Sequence, residues 1–226
     1  IAIYYRKELK KGIKFLDHKN DDYAWLKFCR YFFGLDEDYF ICYSYAPPEN
    51  SLYYKTRKQD TLAYIESDIL SYTAKGNVLL CGDLNARTGC SPDFITHDND
   101  IGSAHSPFYS IDNDIITRCS QDSAHLCNRG KQILDLCTSS KLRIVNGQKT
   151  GDALGRYTCH KNAGSSLVDY VIVSESVFKD VLYLHVNSFK GHLSDDCSIS
   201  WAIQCNVSDV RPKPKCKYVN FPEQYR

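Results

Sequence analysis

Acidic side chains stand at three places where apolar, strand-like runs end, begin or are interrupted. Asp83 follows one such run, Asp169 interrupts a second, and Asp195 and Asp196 precede a third. A buried carboxylate must be paired, hydrogen-bonded or bound to a metal, because ionised groups are costly to remove from water. Taken alone, Asp83 and Asp195 are also compatible with ordinary turns, and Asp169 could be satisfied by backbone N–H groups or a neighbouring arginine. Combined with the Asn85 amide, the set is of the kind that holds a hard cation and a phosphoryl oxygen.

The elements that would position these residues are predicted from apolar periodicity and from glycine and proline. Two helices are expected, at Tyr54–Ala74, ending before Gly76, and at Asn128–Ser139, and residues 90–125 are interpreted as a long surface excursion. Many strands and few helices predict an α/β (α+β) four-layer sandwich, two packed and mainly antiparallel β-sheets flanked by helices. The expected strands are Ile1–Arg6, Trp25–Phe28, Tyr39–Tyr45, Val78–Cys81, Leu142–Val145, Tyr157–His160, Leu167–Val173, Val181–Val186 and Cys197–Ile203.

Length and composition favour one compact domain over residues 1–205, followed by a basic, proline-containing linker or tail at 206–226. No apolar run approaches the roughly 18 residues of a membrane-spanning helix, so no membrane partner is expected. The net charge of +1 excludes a uniformly basic surface, and nucleic-acid binding would depend on local patches. Both basic clusters can be read as solvated chain ends or as phosphate-binding sites: Arg6, Lys7, Lys10, Lys11 and Lys14, and Arg211, Lys213, Lys215 and Lys217.

The cysteine pattern favours a reducing compartment. There are 11 cysteines, an odd number, and Cys42, Cys81 and Cys137 lie in apolar stretches where a reduced thiol behaves as a small hydrophobic side chain. An intracellular location, nuclear or cytoplasmic, is therefore expected. No Cys-x-x-Cys pair is present, so a zinc site is not predicted.

Several segments together resemble the endonuclease/exonuclease/phosphatase superfamily, which includes the apurinic/apyrimidinic endonucleases. The resemblance lies in residues 78–87 (VLLCGDLNAR), 166–170 (SLVDY) and 194–199 (SDDCSI). Residues 1–5 (IAIYY), 41–51 (ICYSYAPPENS), 128–131 (NRGK) and 145–147 (VNG) are similar to the endonuclease domains of LINE-type retrotransposons. The matching segments follow one another in the same order as in that family, over nearly the whole chain.

The resemblance implies in-line attack of water on a phosphodiester, assisted by Mg²⁺ or Mn²⁺. Asp83 would orient or deprotonate the water, and Asn85 would donate a hydrogen bond to a phosphoryl oxygen. Asp195 matches the carboxylate near the metal, and Asp169 matches the carboxylate that fixes the tautomer of the family's histidine. Tyr45 matches a tyrosine that contacts the phosphate, although core packing is an equally open role for it.

Two departures from the family pattern predict an impaired enzyme. The last motif of the family is Ser-Asp-His, whereas this chain has Asp196 in place of the histidine that stabilises the phosphoryl charge. Another carboxylate beside Asp169 should raise a pKa by repulsion. The family's first strands, with their metal-binding glutamate, also have no counterpart, so we expect an N-terminally truncated domain that lacks the first strands and binds its metal weakly.

The leading functional prediction is a DNA endonuclease of retrotransposon type, acting as a monomer on DNA and fused, now or formerly, to a reverse transcriptase. One alternative is a catalytically inactive module that binds nucleic acid or protein. A second is an inositol phosphate phosphatase, because one fold can carry several activities.

Overall fold

A computed structural model describes residues 1–16, 21–49, 51–57, 60–95, 117–123 and 125–205. The predicted tail at 206–226 and residues 96–116 of the predicted surface excursion lie outside these residues. No helix in the described part of the chain is both long and apolar enough to cross a membrane.

Ten strands and five α-helices make up the described part of the chain, with a 3-10 helix at Lys7–Gly12. The strands are β1 Ile13–Leu16, β2 Tyr23–Phe28, β3 Tyr39–Tyr45, β4 Asn77–Asp83, β5 Leu142–Ile144, β6 Cys159–Lys161, β7 Gly164–Ser166, β8 Asp169–Ser174, β9 Val181–Val186 and β10 Ile199–Ile203. The helices are α1 Arg30–Phe33, α2 Leu52–Arg57, α3 Thr61–Thr73, α4 Asn128–Ser140 and α5 Glu175–Phe178.

Six strands form a central sheet in the order β1-β2-β3-β4-β8-β5. The pair β3 and β4 is parallel, and the other neighbours are antiparallel. A second sheet contains β9 and β10, and β6 and β7 form a separate antiparallel pair. Parallel β3 and β4 end at the same edge of the sheet, where the antiparallel β8 begins.

Strand β4 is buried on both faces, as its continuous apolar run predicts. Val78 and Leu80 belong to one core with residues of α3 and α4, such as Ile65 and Ile133. Leu79 and Cys81 belong to a second core with residues of β9 and β10. The predicted sandwich is therefore confirmed, with helices on one face of the central sheet and a second sheet on the other. The side chains of Leu182 and Tyr183 on β9 are exposed.

The prediction of a strand at residues 1–6 is wrong. These residues are irregular, and the first strand is β1, four residues long. Apolar residues at 1–5 have the composition of a strand but do not pair with a described strand, whereas Ile13–Leu16 pair antiparallel with β2. Local propensity is thus overridden by the available hydrogen-bonding partner.

The predicted helix at 54–74 is two helices. Asp60 has an extended backbone, with φ −94° and ψ 107°, and its side chain accepts a hydrogen bond from the backbone N–H of Leu62 at 3.0 Å. An N-cap of this kind starts a new helix, so α2 and α3 are not continuous.

Smaller shifts affect two predicted strands near the acidic residues. The strand expected at Tyr157–His160 is displaced to β6, where it can pair with β7. The strand expected from Leu167 begins at Asp169, so this carboxylate opens β8 instead of interrupting it.

Candidate active site

Three neighbouring strands place Tyr45, Asp83 and Asp169 in one row at an edge of the central sheet. Tyr45 pairs with Asp83 across β3 and β4, and Asp83 pairs with Asp169 across β4 and β8. Like charges directly opposite each other destabilise a sheet. The row therefore combines two carboxylates, at a cost to stability, with a tyrosine that is 47% exposed.

Asp83 is held by the turn that follows β4. The Asn85 backbone N–H donates to Asp83 Oδ1 at 2.8 Å, and Asn85 Nδ2 donates to Asp83 Oδ2 at 3.0 Å. Asn85 has a φ of 44°, a left-handed conformation that asparagine tolerates better than most residues. Its amide also donates to the Ala46 carbonyl at 3.0 Å, which ties this turn to the end of β3.

Burial raises the pKa of Asp83, and the charge of Asp196 adds to the increase. The hydrogen bonds from Asn85 and the charge of Lys161 oppose it. Lys161 is thus a cation close enough to act on Asp83.

Asp169 is the most perturbed acid of the row. Burial raises its pKa to about 7; a hydrogen bond with the Thr158 side chain opposes the rise, and the charges of Asp83 and Asp196 add to it. The Thr158 hydroxyl also accepts a hydrogen bond from the Asp169 backbone N–H at 3.1 Å. Asp169 Oδ2 is buried and has no hydrogen-bond partner among the described residues. A neutral, protonated carboxyl is therefore the stable form of Asp169 through most of the acidic pH range.

Asp195 and Asp196 lie differently with respect to this row. Both are exposed, and the Asp195 carbonyl accepts a hydrogen bond from the His160 backbone N–H at 2.7 Å. Asp196 forms a β-bridge with Cys159, and its charge raises the pKa of both Asp83 and Asp169. Asp195 is thus joined to the site through its backbone, and Asp196 acts on the two buried carboxylates through its charge.

Burial raises the pKa of the Cys159 thiol to about 12, and the hydrogen bond that the thiol donates to the Asp196 carboxylate contributes to the increase. The thiol is therefore protonated at neutral pH and is a poor nucleophile. Cys159 accordingly belongs to the wall of the site.

Three residues that hold the row in place were given no role from the sequence. The buried Arg129 donates through Nη1 to the carbonyls of Ala46 and Pro47, which fixes the turn after Tyr45. The Asn146 amide donates to the Asp169 carbonyl at 3.2 Å. Both residues lie in segments that carry the resemblance, and this is the signal that could have identified them. The third residue, Thr158, has no comparable signal in the sequence.

The described residues do not fit a divalent cation held by protein side chains alone. They contain no group of three or more His, Cys, Asp or Glu side chains arranged as metal ligands. Both oxygens of Asp83 are engaged by Asn85. Asp169 has a free oxygen, but its raised pKa favours the protonated carboxyl, which is a poor ligand. The expected metal ligand, Asp195, stays a prediction from the resemblance.

The comparisons with known proteins are informative at the level of structure. No protein-family model matches the chain, and no curated protein matches it in sequence. A 3'-5' exonuclease, NExo, from Neisseria meningitidis is similar in structure, with a TM-score of 0.53 and 13% identity over 84% of this chain and 70% of that one. A second NExo structure is described as a 3' phosphatase from Neisseria bound to a product DNA hairpin. It has a TM-score of 0.53 and 12% identity over 86% of this chain and 71% of that one.

The endonuclease domain of TRAS1, a telomere-specific non-LTR retrotransposon, is also similar, with a TM-score of 0.50 and 12% identity over 85% of this chain and 69% of that domain. The chain therefore has an endonuclease/exonuclease/phosphatase-like fold, as the sequence resemblance predicts. The similar structures thus include the endonuclease domain of a non-LTR retrotransposon.

Proposed function

We propose that the chain is a DNA phosphodiesterase of the retrotransposon endonuclease type whose activity is low because Asp196 replaces a histidine. The observation that carries the proposal is the row of Tyr45, Asp83 and Asp169 at one sheet edge of this fold. The similar structures support it, since they are described as an exonuclease, a 3' phosphatase with a DNA product and a retrotransposon endonuclease domain.

Asp83 is the candidate general base. The two hydrogen bonds from Asn85 fix its orientation, and its raised pKa makes it a stronger base than an ordinary carboxylate. A water molecule beside Asp83 would be oriented for attack on phosphorus. Tyr45 is half-exposed at the end of the same row, which supports contact with a phosphate more than a role in core packing.

The role that the resemblance implies for Asn85 requires a rearrangement. A carboxamide nitrogen has two hydrogens, and here both are used, by Asp83 and by the Ala46 carbonyl. Donation to a phosphoryl oxygen would break one of these bonds. The bond to Ala46 is the one that can be lost without releasing Asp83.

Asp169 and Asp196 determine how the site meets a negatively charged phosphodiester. When both are ionised, they repel the substrate. The charge of Lys161, which lowers the pKa of Asp83, acts against this repulsion. Below pH 7 Asp169 is protonated and can donate a hydrogen bond to a phosphoryl oxygen. We therefore expect cleavage to increase as the pH falls toward 6, as long as Asp83 stays ionised.

A plasmid-nicking assay with four proteins tests the proposal: the parent chain, Asp83→Ala, Asp196→His and Asp196→Asn. Asp196→His should increase nicking by about 100-fold or more, because a positioned imidazole contributes on that order to proton transfer and charge stabilisation. Asp196→Asn removes the same charge without an imidazole and should give a much smaller gain. Asp83→Ala should abolish nicking, also when combined with Asp196→His.

The fold class implies a dependence on Mg²⁺ or Mn²⁺, and we propose that the cation is bound weakly. Nicking should then reach half of its maximum only near 1 mM cation, because weak oxygen-ligand sites have dissociation constants of about 10⁻³ M. The retrotransposon role further proposes that nicked DNA primes a reverse transcriptase, inside the nucleus or cytoplasm. All ten cysteines of the described residues are free, which suits a reducing compartment.

A catalytically inactive binding module is the second candidate. The use of both Asn85 amide hydrogens by internal acceptors favours it, because this side chain cannot donate to a phosphate without a rearrangement. Failure of Asp196→His to nick DNA, with DNA binding retained, would support this candidate. Hydrolysis of inositol polyphosphates but not of DNA would instead support the phosphatase alternative.

A further inference from the structure

The 3-10 helix and strand β1 carry a basic surface, defined here by Arg6, Lys7, Lys10, Lys11 and Lys14. All five side chains are exposed, and none forms an ion pair with a described acidic residue. Residues 1–16 have a net charge of +4 and the whole chain +1, so the rest of the chain carries −3. This surface is therefore a local concentration of positive charge.

Exposed aromatic rings lie among these cations. Tyr4 is 94% exposed and Phe15 is 51% exposed, and the rings of Tyr5 and Phe15 lie 6.1 Å apart. Isolated exposed apolar residues are common, but several rings within a basic segment form a different pattern. Bases of a single strand stack on such rings while lysines follow the phosphates.

Helix α1 adds a further ring to the same region. The backbone of Gly12, at the end of the 3-10 helix, lies against the rings of Phe32 and Phe33, which joins α1 to the basic surface. Tyr31 of α1 is 81% exposed, with the Arg30 guanidinium 4.6 Å from its ring centroid. The Arg30 Nη2 also donates to the Tyr31 hydroxyl at 2.6 Å, so the ring and the cation form one oriented unit.

This surface is at the opposite end of the central sheet from the candidate active site. Ile13 of β1 pairs with Phe28, which pairs with Tyr39 at the start of β3. Tyr45 lies six residues further along β3, a separation of about 20 Å at 3.3 Å per residue. The cations of the basic surface therefore lie apart from Asp83, although Ile1, at the start of the same segment, lines a cavity with Asp169.

We infer that the basic surface, together with Tyr31, is a second nucleic-acid site that binds single strands without sequence preference. The lysines would contact successive phosphates, and the exposed rings would stack with the bases. Catalysis is not required, so the site is independent of the proposed nuclease activity.

Fluorescence anisotropy with a labelled oligothymidylate, measured over a range of salt concentrations, tests the inference. The variant Lys7→Gln/Lys10→Gln/Lys11→Gln should make the negative slope of log Kobs against log salt shallower by about 2, because each phosphate contact on a single strand contributes about −0.7. The matched control Lys75→Gln/Lys131→Gln/Lys179→Gln removes the same charge from exposed lysines elsewhere. It should leave the slope unchanged.

Tyr31→Ala tests the stacking component. Its side chain is largely exposed, so the substitution should not affect folding, which thermal unfolding of the variant will check. Oligothymidylate binding should weaken about tenfold, within the range for loss of one stacked base. Binding to a duplex of the same length should not change.

Equal slopes for the two triple-lysine variants would overturn the inference, as would unchanged oligothymidylate affinity in Tyr31→Ala. Preferential binding of the parent chain to phosphatidylserine vesicles over the oligonucleotide would also overturn it and assign the surface to membranes. The difference in salt slope between the two triple-lysine variants does not depend on nicking, which separates this result from failure of the proposed nuclease activity.

Discussion

Asp93 and Asp169 are two acidic side chains removed from water in very different surroundings. Asp93 Oδ2 accepts a hydrogen bond from the Ile144 backbone N–H at 2.6 Å, and Oδ1 lies 3.4 Å from Arg143 Nη2. Asp169 has two other acids acting on it, Asp83 and Asp196, and one of its oxygens is without a partner. The buried carboxylate of Asp93 is thus compensated by a cation, whereas that of Asp169 is not.

The contrast separates a structural use of buried charge from a functional one. Around Asp93, the Arg143 guanidinium lies 4.7 Å from the ring centroid of Phe94 and 5.7 Å from that of Phe178. That arrangement anchors the segment after β4 against β5. Around Asp169, no comparable packing compensates the charge, and perturbed acids without such compensation are typical of sites that act on a ligand.

Removing the compensated carboxylate should have the largest effect on stability. Asp93→Ala leaves the buried Arg143 with only the partly exposed Glu175 carboxylate, 4.0 Å away, and we expect the free energy of unfolding to fall by about 3–5 kcal/mol. Urea denaturation measures this loss. The double variant Asp93→Leu/Arg143→Met should recover most of it, because a buried pair can be replaced by apolar side chains. A loss below about 1 kcal/mol, the value of an exposed pair, would contradict this account.

Removing the uncompensated carboxylate of Asp169 should instead increase the free energy of unfolding. The pKa of Asp169 is about 7 in the folded protein against 3.8 ordinarily, so between these pH values the unfolded chain releases a proton that the folded chain keeps. Rising pH therefore favours unfolding in this window. The free energy of unfolding of Asp169→Asn should equal that of the parent near pH 4. The difference should grow in favour of the variant up to about pH 7 and stay at roughly 2–4 kcal/mol above that pH. Unfolding free energies measured across this range check the prediction, and a constant difference would contradict it.

Thr158→Val should combine a loss of stability with a higher pKa of Asp169. The Thr158 hydroxyl accepts from the backbone N–H groups of Val168 and Asp169, both at 3.1 Å, and its removal should cost about 1–3 kcal/mol. The same hydroxyl lowers the pKa of Asp169, so the pH at which stability levels off should rise. Thr158→Ser keeps the hydroxyl and should leave that pH unchanged. An unchanged levelling-off pH in Thr158→Val would remove Thr158 from the explanation.

The smallest effect is expected from the exposed acid. Asp196→Asn removes one charge that raises the pKa of Asp169, so stability should level off at a lower pH. The change in unfolding free energy should be below about 1 kcal/mol because the side chain is exposed. Asp195→Asn, one residue away, is the matched control and should not shift that pH. Equal shifts in the two variants would show that the distinction between these neighbours is wrong.

The sequence predicts the fold class and the long apolar elements well, because their burial leaves a strong pattern. Strand β9 has the predicted bounds, β3 does too, and α4 differs from its prediction by one residue. Residues 1–6 and β1 were misassigned because a short edge strand is determined by its partner more than by its own composition. The break at Asp60 depends on a side-chain cap within a continuous apolar stripe.

The residues of the candidate site were likewise only partly predictable from the sequence. Asp83 and Asp169 could be brought together from sequence only because the resemblance joins segments that are far apart in the chain. The supporting residue Thr158 could not be identified, since a threonine near a predicted strand has no distinguishing pattern until β6 and β8 are placed together. The exposure of Asp195 and Asp196 depends on the path of the chain before β10, which local composition does not determine.

Strand β1 lies at the end of the sheet order, so one side of its backbone pairs with no other strand in the part of the chain that the structure describes. Such edges can recruit further chains into continuous sheets, and short length and lysine side chains discourage this polymerisation. β1 has only four residues, and a further strand that paired with this edge would bring its side chains close to the charge of Lys14. Replacing Lys14 by an apolar residue should therefore shorten the time before concentrated protein becomes turbid.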